Sequence, residues 1–159
     1  DQAPAVTAEA AEMYRELCDA EPGLYDRRLA NILAILTAMH VDAGRLTDAL
    51  APTQESVEVW RTIASTDNGI ESFRSFGVAM HQAAWVRWRC GVEFDIALSD
   101  AAKAFGIYEL CNDGASEAGA ERCVAALELR ADLLDALGEP GYAAAARQQL
   151  NEKLSRDPE

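Results

Sequence analysis

The sequence predicts an all-α protein, an α-solenoid of about three and a half helical hairpins with seven antiparallel helices. Three observations support this fold class. Alanine is abundant while glycine and proline are sparse, a composition that favours helices. Gly44, Gly91 and Gly138 recur at intervals of 47 residues. Apolar residues follow the three- and four-residue spacing of amphipathic helices, with no sustained two-residue alternation.

The three glycines have similar surroundings, which indicates a repeat. Seven residues before them stand the small residues Thr37, Ala84 and Ala131. Eleven residues before them stand the large apolar residues Leu33, Met80 and Leu127. Five or six residues after them stand Ala49, Ala97 and Ala143. A glycine can take the left-handed conformation that ends a helix, the small residue permits close approach of a partner helix, and the large residue fills the space between helices.

The elements follow in order along the chain. The segment "EMYRELCDAEPG" (12–23) is similar to "EVWRTIASTDNG" (58–69), so 5–20 is predicted to be the second helix of a unit without its first helix. Three hairpins then span about 24–65, 70–112 and 115–155. Together they form one domain over 1–159. Because the sequence has no initiator methionine, we expect it to be a piece of a longer protein.

Each hairpin has two apolar stripes at helical spacing. In the first hairpin they are Leu29, Ile32, Leu33, Leu36 and Met39, then Ala49, Thr53, Val57, Trp60 and Ala64. In the second they are Phe73, Phe76, Gly77, Met80 and Ala84, then Ala97, Ala101, Ala104, Phe105 and Tyr108. In the third they are Ala120, Val124, Leu127, Ala131 and Leu134, then Tyr142, Ala146, Leu150 and Leu154.

Pro52 falls early in the second helix of the first hairpin, where a proline removes a hydrogen bond and clashes with the preceding turn. With Thr47 as the N-cap, Pro52 lies just past the first turn. We expect a local bend or a late helix start there.

Charge and cysteine usage exclude several classes of function. The net charge is -13 and only two lysines occur, so the chain lacks the basic surface that nucleic-acid binding requires and is repelled by anionic membranes. No apolar run is long enough to span a membrane, and no signal peptide opens the chain. Four scattered cysteines without paired spacing predict buried thiols in a reducing compartment, hence a cytoplasmic protein without a metal site or cofactor.

Catalytic motifs are missing as well. His40 and His81 do not occupy equivalent positions of the repeat, and no nucleophile elbow, zinc-protease motif or phosphate-binding loop occurs. His40 is expected to be a packed histidine. We therefore expect that the protein is not an enzyme.

The triplets Thr37–Gly44–Ala49, Ala84–Gly91–Ala97 and Ala131–Gly138–Ala143 resemble the tetratricopeptide repeat (TPR). The longer period is similar to the long-helix variants of kinesin light chains and of bacterial, especially actinobacterial, signalling proteins. The resemblance implies a right-handed solenoid whose first helices line a concave side. Arg87 stands where the family usually has a tyrosine. The polar "RQQLNEKL" of the last helix suits a solvent-facing cap.

The family's concave positions lie about 13, 10, 6 and 2 residues before each turn glycine. The partner-binding residues predicted from these positions and their neighbours are Asn31, Ala34, Ala38, His81, Trp85, Trp88, Arg89, Glu128 and Asp132. Trp and Arg often anchor interfaces. Alternatively, Trp85 and Trp88 pack between hairpins, and Glu128, Asp132 and Asp135 form a solvated face rather than a site for a basic segment.

These observations predict a protein–protein interaction module that binds a peptide or protein segment on its concave face. Such a module would be the sensor or scaffold part of an intracellular signalling protein. The alternative is a structural spacer or homo-oligomerisation unit without a ligand of its own. A regulator that binds a short peptide signal is a third hypothesis.

Overall fold

The computed structural model describes residues 3–111 and 113–155, and these residues form seven α-helices and no strand. The helices are α1 (Ala3–Ala20), α2 (Asp26–Asp42), α3 (Leu50–Thr66), α4 (Ile70–Cys90), α5 (Phe94–Leu110), α6 (Glu117–Ala136) and α7 (Pro140–Leu154). A short 3-10 turn, Asp113–Ala115, precedes α6. The prediction of an all-α chain is confirmed.

The three repeat glycines end α2, α4 and α6 in one conformation. Gly44, Gly91 and Gly138 have φ angles of 71°, 70° and 77°. After each glycine, the next backbone N–H donates to the carbonyl five residues earlier: Arg45 to His40 at 2.8 Å, Val92 to Arg87 at 3.1 Å and Glu139 to Leu134 at 2.9 Å. This is the bond pattern of a Schellman motif. The 47-residue recurrence in the sequence is therefore a recurrence of one backbone turn.

The predicted small and large positions of the repeat all lie in the core. The residues concerned are Thr37, Ala84 and Ala131, then Leu33, Met80 and Leu127, then Ala49, Ala97 and Ala143, and none is more than 3 % exposed. Most other members of the predicted stripes are buried or half-buried, but three are exposed: Phe73, Tyr142 and Leu154. Tyr142 and Leu154 lie in α7, and no helix after α7 is described that could cover them.

Helix α3 begins late, as one of the two alternatives for Pro52 predicted. Residues 45–49 form turns, Ala49 is the N-cap and Leu50 the first helical residue. Thr47 is therefore not the N-cap. Pro52 is the third helical residue, where the backbone N–H that proline lacks would have no partner within the helix.

Each helix packs against its neighbours in sequence, and α4 also contacts α6. Ion pairs connect alternate helices. Arg27 near the start of α2 binds Asp67 just before α4, and Arg74 near the start of α4 binds Asp113 just before α6. Lys153 near the end of α7 likewise binds Glu109 near the end of α5, at 2.6 Å. The starts of α2, α4 and α6 thus lie at the same end of the molecule, an arrangement compatible with a solenoid.

Candidate functional site

The candidate site is a groove formed mainly by α2, α4 and α6, with contributions from α3 and α5. Its first part, with a volume of about 210 Å³, lies between α2 and α4. Its second part, of about 360 Å³, lies between α4 and α6. Val78, Gln82 and Arg122 line both parts. The two parts therefore form one continuous depression, which we call the central groove.

The walls of the central groove combine apolar surface with free amides. Val78 and Trp85 of α4 and Ala125 of α6 supply apolar contacts in its second part. Asn31 of α2 and Gln82 of α4 supply amide groups. Among the described residues, neither amide has a hydrogen-bond partner. An amide can both donate and accept, so these two side chains can bind a peptide backbone.

Two arginines at the groove are held by a buried carboxylate. Asp113, 2 % exposed, accepts from Arg74 Nε at 2.6 Å and from Arg122 Nε at 3.0 Å. Burial would raise the pKa of Asp113, but the hydrogen bonds and charges of the two arginines outweigh it and lower the pKa below the ordinary value. Asp113 therefore stays ionised and fixes both guanidinium groups. Glu71 forms a second ion pair with Arg74 at the surface.

His81 is a neutral group in the groove wall. Its Nδ1 atom is buried and has no hydrogen-bond partner among the described residues. Burial lowers the pKa of His81 below its ordinary value, because the charged imidazolium is poorly solvated there. The Tyr108 ring lies 6.4 Å from the imidazole, centroid to centroid, and burial raises the pKa of its phenol. Both rings are uncharged at neutral pH, so the guanidinium groups provide the positive charge of the groove.

Trp85 lies between the groove and the core. One part of it packs against a cluster that includes Ala84, Leu129 and Leu133, and another part lines the groove. The guanidinium carbon of Arg89 lies 5.1 Å from the centroid of the Trp85 ring, within the range of a cation–π contact. This contact holds the exposed Arg89 over the Trp85 ring, although Arg89 itself lines neither part of the groove.

The structure brings together some of the predicted partner-binding residues. Asn31 and Ala34 line the first part of the groove, and His81 and Trp85 line the second. Ala38, Trp88, Arg89, Glu128 and Asp132 line neither part. Trp88 packs, half-buried, against the same cluster as Trp85, as the alternative interpretation expects.

The predicted acidic ridge is partly neutralised. Arg147 of α7 binds Asp135 and lies 3.8 Å from Asp132. Glu128 is exposed. Because both Asp132 and Asp135 lie close to the cation of Arg147, they are not two unpaired carboxylates facing the groove. This weakens the interpretation that the acidic ridge orients a basic segment of a partner.

Sequence reasoning missed several residues of the groove. These are Ser56, Trp60, Arg74, Ser75, Ala79, Gln82, Tyr108 and Arg122. Ser75 and Arg122 lie 16 residues before Gly91 and Gly138, one helical turn before the predicted position at 13. Extending the series by one turn would have found them. Trp60 and Tyr108 come from second helices and were assigned to the apolar stripes.

A larger, open cleft of about 820 Å³ lies between the start of α3 and the α4–α5 turn. Its two carboxylates already have partners: Glu55 accepts from Arg15 at 2.6 Å, and Glu93 from Arg87 at 2.9 Å. It has no aromatic side chain and no free charge to orient a ligand, so the smaller central groove is the better candidate.

Three further findings concern the described residues only. No cluster of three or more His, Cys, Asp or Glu side chains with metal-binding geometry occurs among them. None of their helices is long and apolar enough to cross a membrane. All four cysteines are free thiols.

Comparison of the chain with protein-family models, curated proteins and solved structures finds no match.

Proposed function

We propose that the protein is an interaction module that binds a peptide or an extended protein segment in the central groove. The unpaired amides of Asn31 and Gln82 carry this proposal: Asn31 lines the first part of the groove, and Gln82 extends into the second part, which Trp85 also lines. Amides at this position can bind the backbone of an extended chain, while an apolar side chain of the ligand packs against Trp85, Val78 and Ala125. Apolar walls with a few polar groups are typical of binding sites.

The proposal includes a TPR-like, right-handed solenoid as the architecture. The repeated Schellman turn and the alignment of the starts of α2, α4 and α6 support it. It also includes a scaffold or sensor role in an intracellular signalling protein of the cytoplasm. The four free cysteines and the net charge of -13 fit that role better than secretion or nucleic-acid binding.

A selection from a random peptide library on the wild-type protein tests the proposal. Selected peptides are titrated by calorimetry against wild type and against the double variant Trp85→Ala/Arg89→Ala. Loss of a central tryptophan contact costs about 2 kcal/mol or more, so we expect affinity to fall about 30-fold or more while helical content stays the same.

Two further variants separate binding from folding. Gln82→Met removes the amide at similar volume and should weaken binding without changing stability. Tyr142→Ala removes an aromatic side chain that is 68 % exposed on α7, away from the groove, and should bind like wild type. The proposal is rejected if no peptide is selected, or if the double variant and Gln82→Met bind with wild-type affinity.

A further inference from the structure

The outer face of α1 carries an apolar stripe that no described residue covers. Val6, Met13 and Leu17 are 61 %, 65 % and 37 % exposed. With the half-buried Ala10 they follow the i, i+4, i+7, i+11 spacing of one helix face. A contiguous exposed apolar patch of this kind marks an interaction site.

Comparison of α1 with the equivalent helix α3 indicates which kind of element packs on this face. Aligning Tyr14 with Trp60 pairs the stripe with four residues of α3, all buried or half-buried: Pro52, Ser56, Val59 and Ile63. In α3 this face packs against α2. Val59 contacts the cluster that contains Leu29 and Leu33, and Ile63 shares a core cluster with Ala30.

An exposed apolar residue of α2 also lies on this side of the molecule. Ile35, 48 % exposed, precedes Gln82 by 47 residues, and Gln82 lines the cleft between α2 and α4. The repeat therefore places Ile35 beside the same open position, where a helix would pack on α1 with α2 at its side. We call this surface, made of Val6, Ala10, Met13, Leu17 and Ile35, the α1 edge.

The opposite end of the helix array is different. The outer face of α7 presents Gln148, Asn151 and Glu152, all exposed, while its exposed apolar residues Tyr142 and Leu154 lie near the two ends of the helix and form no stripe. Terminal repeats of a stable array need such a polar outer face. No described polar side chain covers the α1 edge, so this face differs from the polar outer face of α7.

The charges beside the stripe indicate what kind of partner helix the α1 edge would bind. Glu9 and Glu16 flank the stripe on one side and Glu21 follows it, all exposed and none in an ion pair among the described residues. A second copy of the chain would bring the same carboxylates together, and each copy carries a net charge of -13. A helix with lysine or arginine beside its apolar seam would instead be attracted.

We propose that the α1 edge is a docking surface for a basic amphipathic helix of a partner protein, which packs on α1 as α2 packs on α3. This interface is separate from the central groove and does not depend on it. Its affinity comes from the apolar seam, and its preference among partner helices comes from the acidic flank.

Two synthetic peptides probe the α1 edge. Both have the sequence of α2, Asp26–Asp42, because α2 covers the equivalent face of α3. One peptide carries lysine at the exposed positions Asn31, Ala38 and Asp42, and the other carries glutamate there. By fluorescence anisotropy we expect the lysine peptide to bind at least about tenfold more tightly at low salt. This difference should shrink as the Debye length falls from about 10 Å at 0.1 M to about 3 Å at 1 M salt.

Protein variants assign the contacts. Met13→Gln should abolish binding of the lysine peptide, whereas Leu154→Gln, an equally polar change at an exposed apolar residue of α7, should not. Glu9→Lys/Glu16→Lys should reverse the preference between the two peptides. Gln82→Met in the central groove should leave peptide affinity unchanged, which separates this result from the proposed function.

Three outcomes would overturn the proposal. The first is that neither peptide binds the wild-type protein. The second is that charge makes no difference, or that Leu154→Gln weakens binding as much as Met13→Gln. The third is that sedimentation shows a wild-type dimer that Met13→Gln dissociates, since a second copy would then occupy the α1 edge.

Discussion

Arg74 of α4 donates from Nε to Oδ1 of Asp113 at 2.6 Å, across 39 residues of sequence. The same carboxylate accepts from Arg122 of α6 through its other oxygen. Asp113 thus links α4, the turn before α6 and α6 itself at the base of the central groove. One buried carboxylate therefore binds two arginines that line the groove from different helices.

We predict that this link makes stability depend on pH in the acid range. The pKa of Asp113 is lowered in the folded protein, whereas in the unfolded chain it is about 3.9. The stabilisation is present above the unfolded value and is lost as pH falls through the folded value. Urea unfolding below pH about 4 should therefore show a steeper loss of stability in wild type than in Asp113→Asn.

At neutral pH, Asp113→Asn should lower the free energy of unfolding by about 2 kcal/mol, because charge-assisted hydrogen bonds are lost. Glu71→Gln is the matched control, since Glu71 binds the same arginine at the surface with a side chain that is 76 % exposed. A surface pair contributes little. Equal effects of the two substitutions would contradict the assigned role of Asp113.

Arg87 makes a second buried ionic cluster, at the end of α4. It is 5 % exposed and donates to Gln54 at 2.8 Å, Glu93 at 2.9 Å and Asp100 at 3.2 Å. We predict that Arg87→Met destabilises the protein by about 3 kcal/mol at pH 7, because Asp100 would remain half-buried without its cation. Arg87→Lys should cost less, since lysine keeps the charge but not the fork of donors.

The pH dependence of Arg87→Met has a defined sign. Burial already raises the pKa of Asp100, and Arg87 opposes this. Without Arg87 the pKa rises further, and a raised folded value means that the destabilisation disappears as pH falls through it. The deficit measured by urea unfolding should therefore shrink as pH is lowered from 7 into the acid range. In the double variant Arg87→Met/Asp100→Asn much of it should be recovered, and simple additivity would contradict the coupling.

These clusters show where sequence reasoning reached its limit. The burial of Leu33, Met80 and Leu127 could be predicted because each lies in an apolar stripe of helical spacing and because the three recur 47 residues apart, 11 residues before each turn glycine. Arg87 was identified only as a departure from the resembled family, and no local pattern pairs it with Gln54, 33 residues earlier. Asp113 stands outside every apolar stripe. Its burial depends on where α4 and α6 approach each other.

The lining of the central groove could also be predicted only in part. The register that selected Asn31, Ala34, His81 and Trp85 from the turn glycines holds on the α2 and α4 walls of the groove. On α6 it holds for Ala125, 13 residues before Gly138. It fails for Glu128 and Asp132 further along α6, where Asp132 lies near Arg147 of α7, and towards the ends of the other helices. A single repeat register assumes identical neighbours in every unit, and α6 has different ones.

The turn glycines allow a paired stability test. Gly91 has a φ angle of 70° and open space at its Cβ position, so Gly91→Ala meets no clash but adopts an unfavourable conformation. We expect a loss of about 1 kcal/mol. Gly106 lies inside α5, also with open space and without a positive φ, so Gly106→Ala should gain about 0.5–1 kcal/mol. Thermal unfolding measures both, and a shift of the same sign in both variants would contradict the assignment.

His81 should resist protonation in the folded protein. Its folded pKa is lowered by burial, while the unfolded chain titrates near about 6.5. Below that pH the unfolded state binds more protons, so stability should fall as pH falls from about 7 to about 5. His81→Phe, which cannot be protonated, should show a smaller loss over the same range.

The NMR titration of His81 Hε1 measures the same property directly. Its midpoint should lie below that of a histidine in an unstructured peptide, and a peptide bound in the central groove should lower it further, because the ligand excludes more water from the imidazole. A midpoint at or above the peptide value would mean that water or an anionic group reaches Nδ1. In that case His81 would be a charged contact for ligands at acidic pH rather than part of a neutral wall.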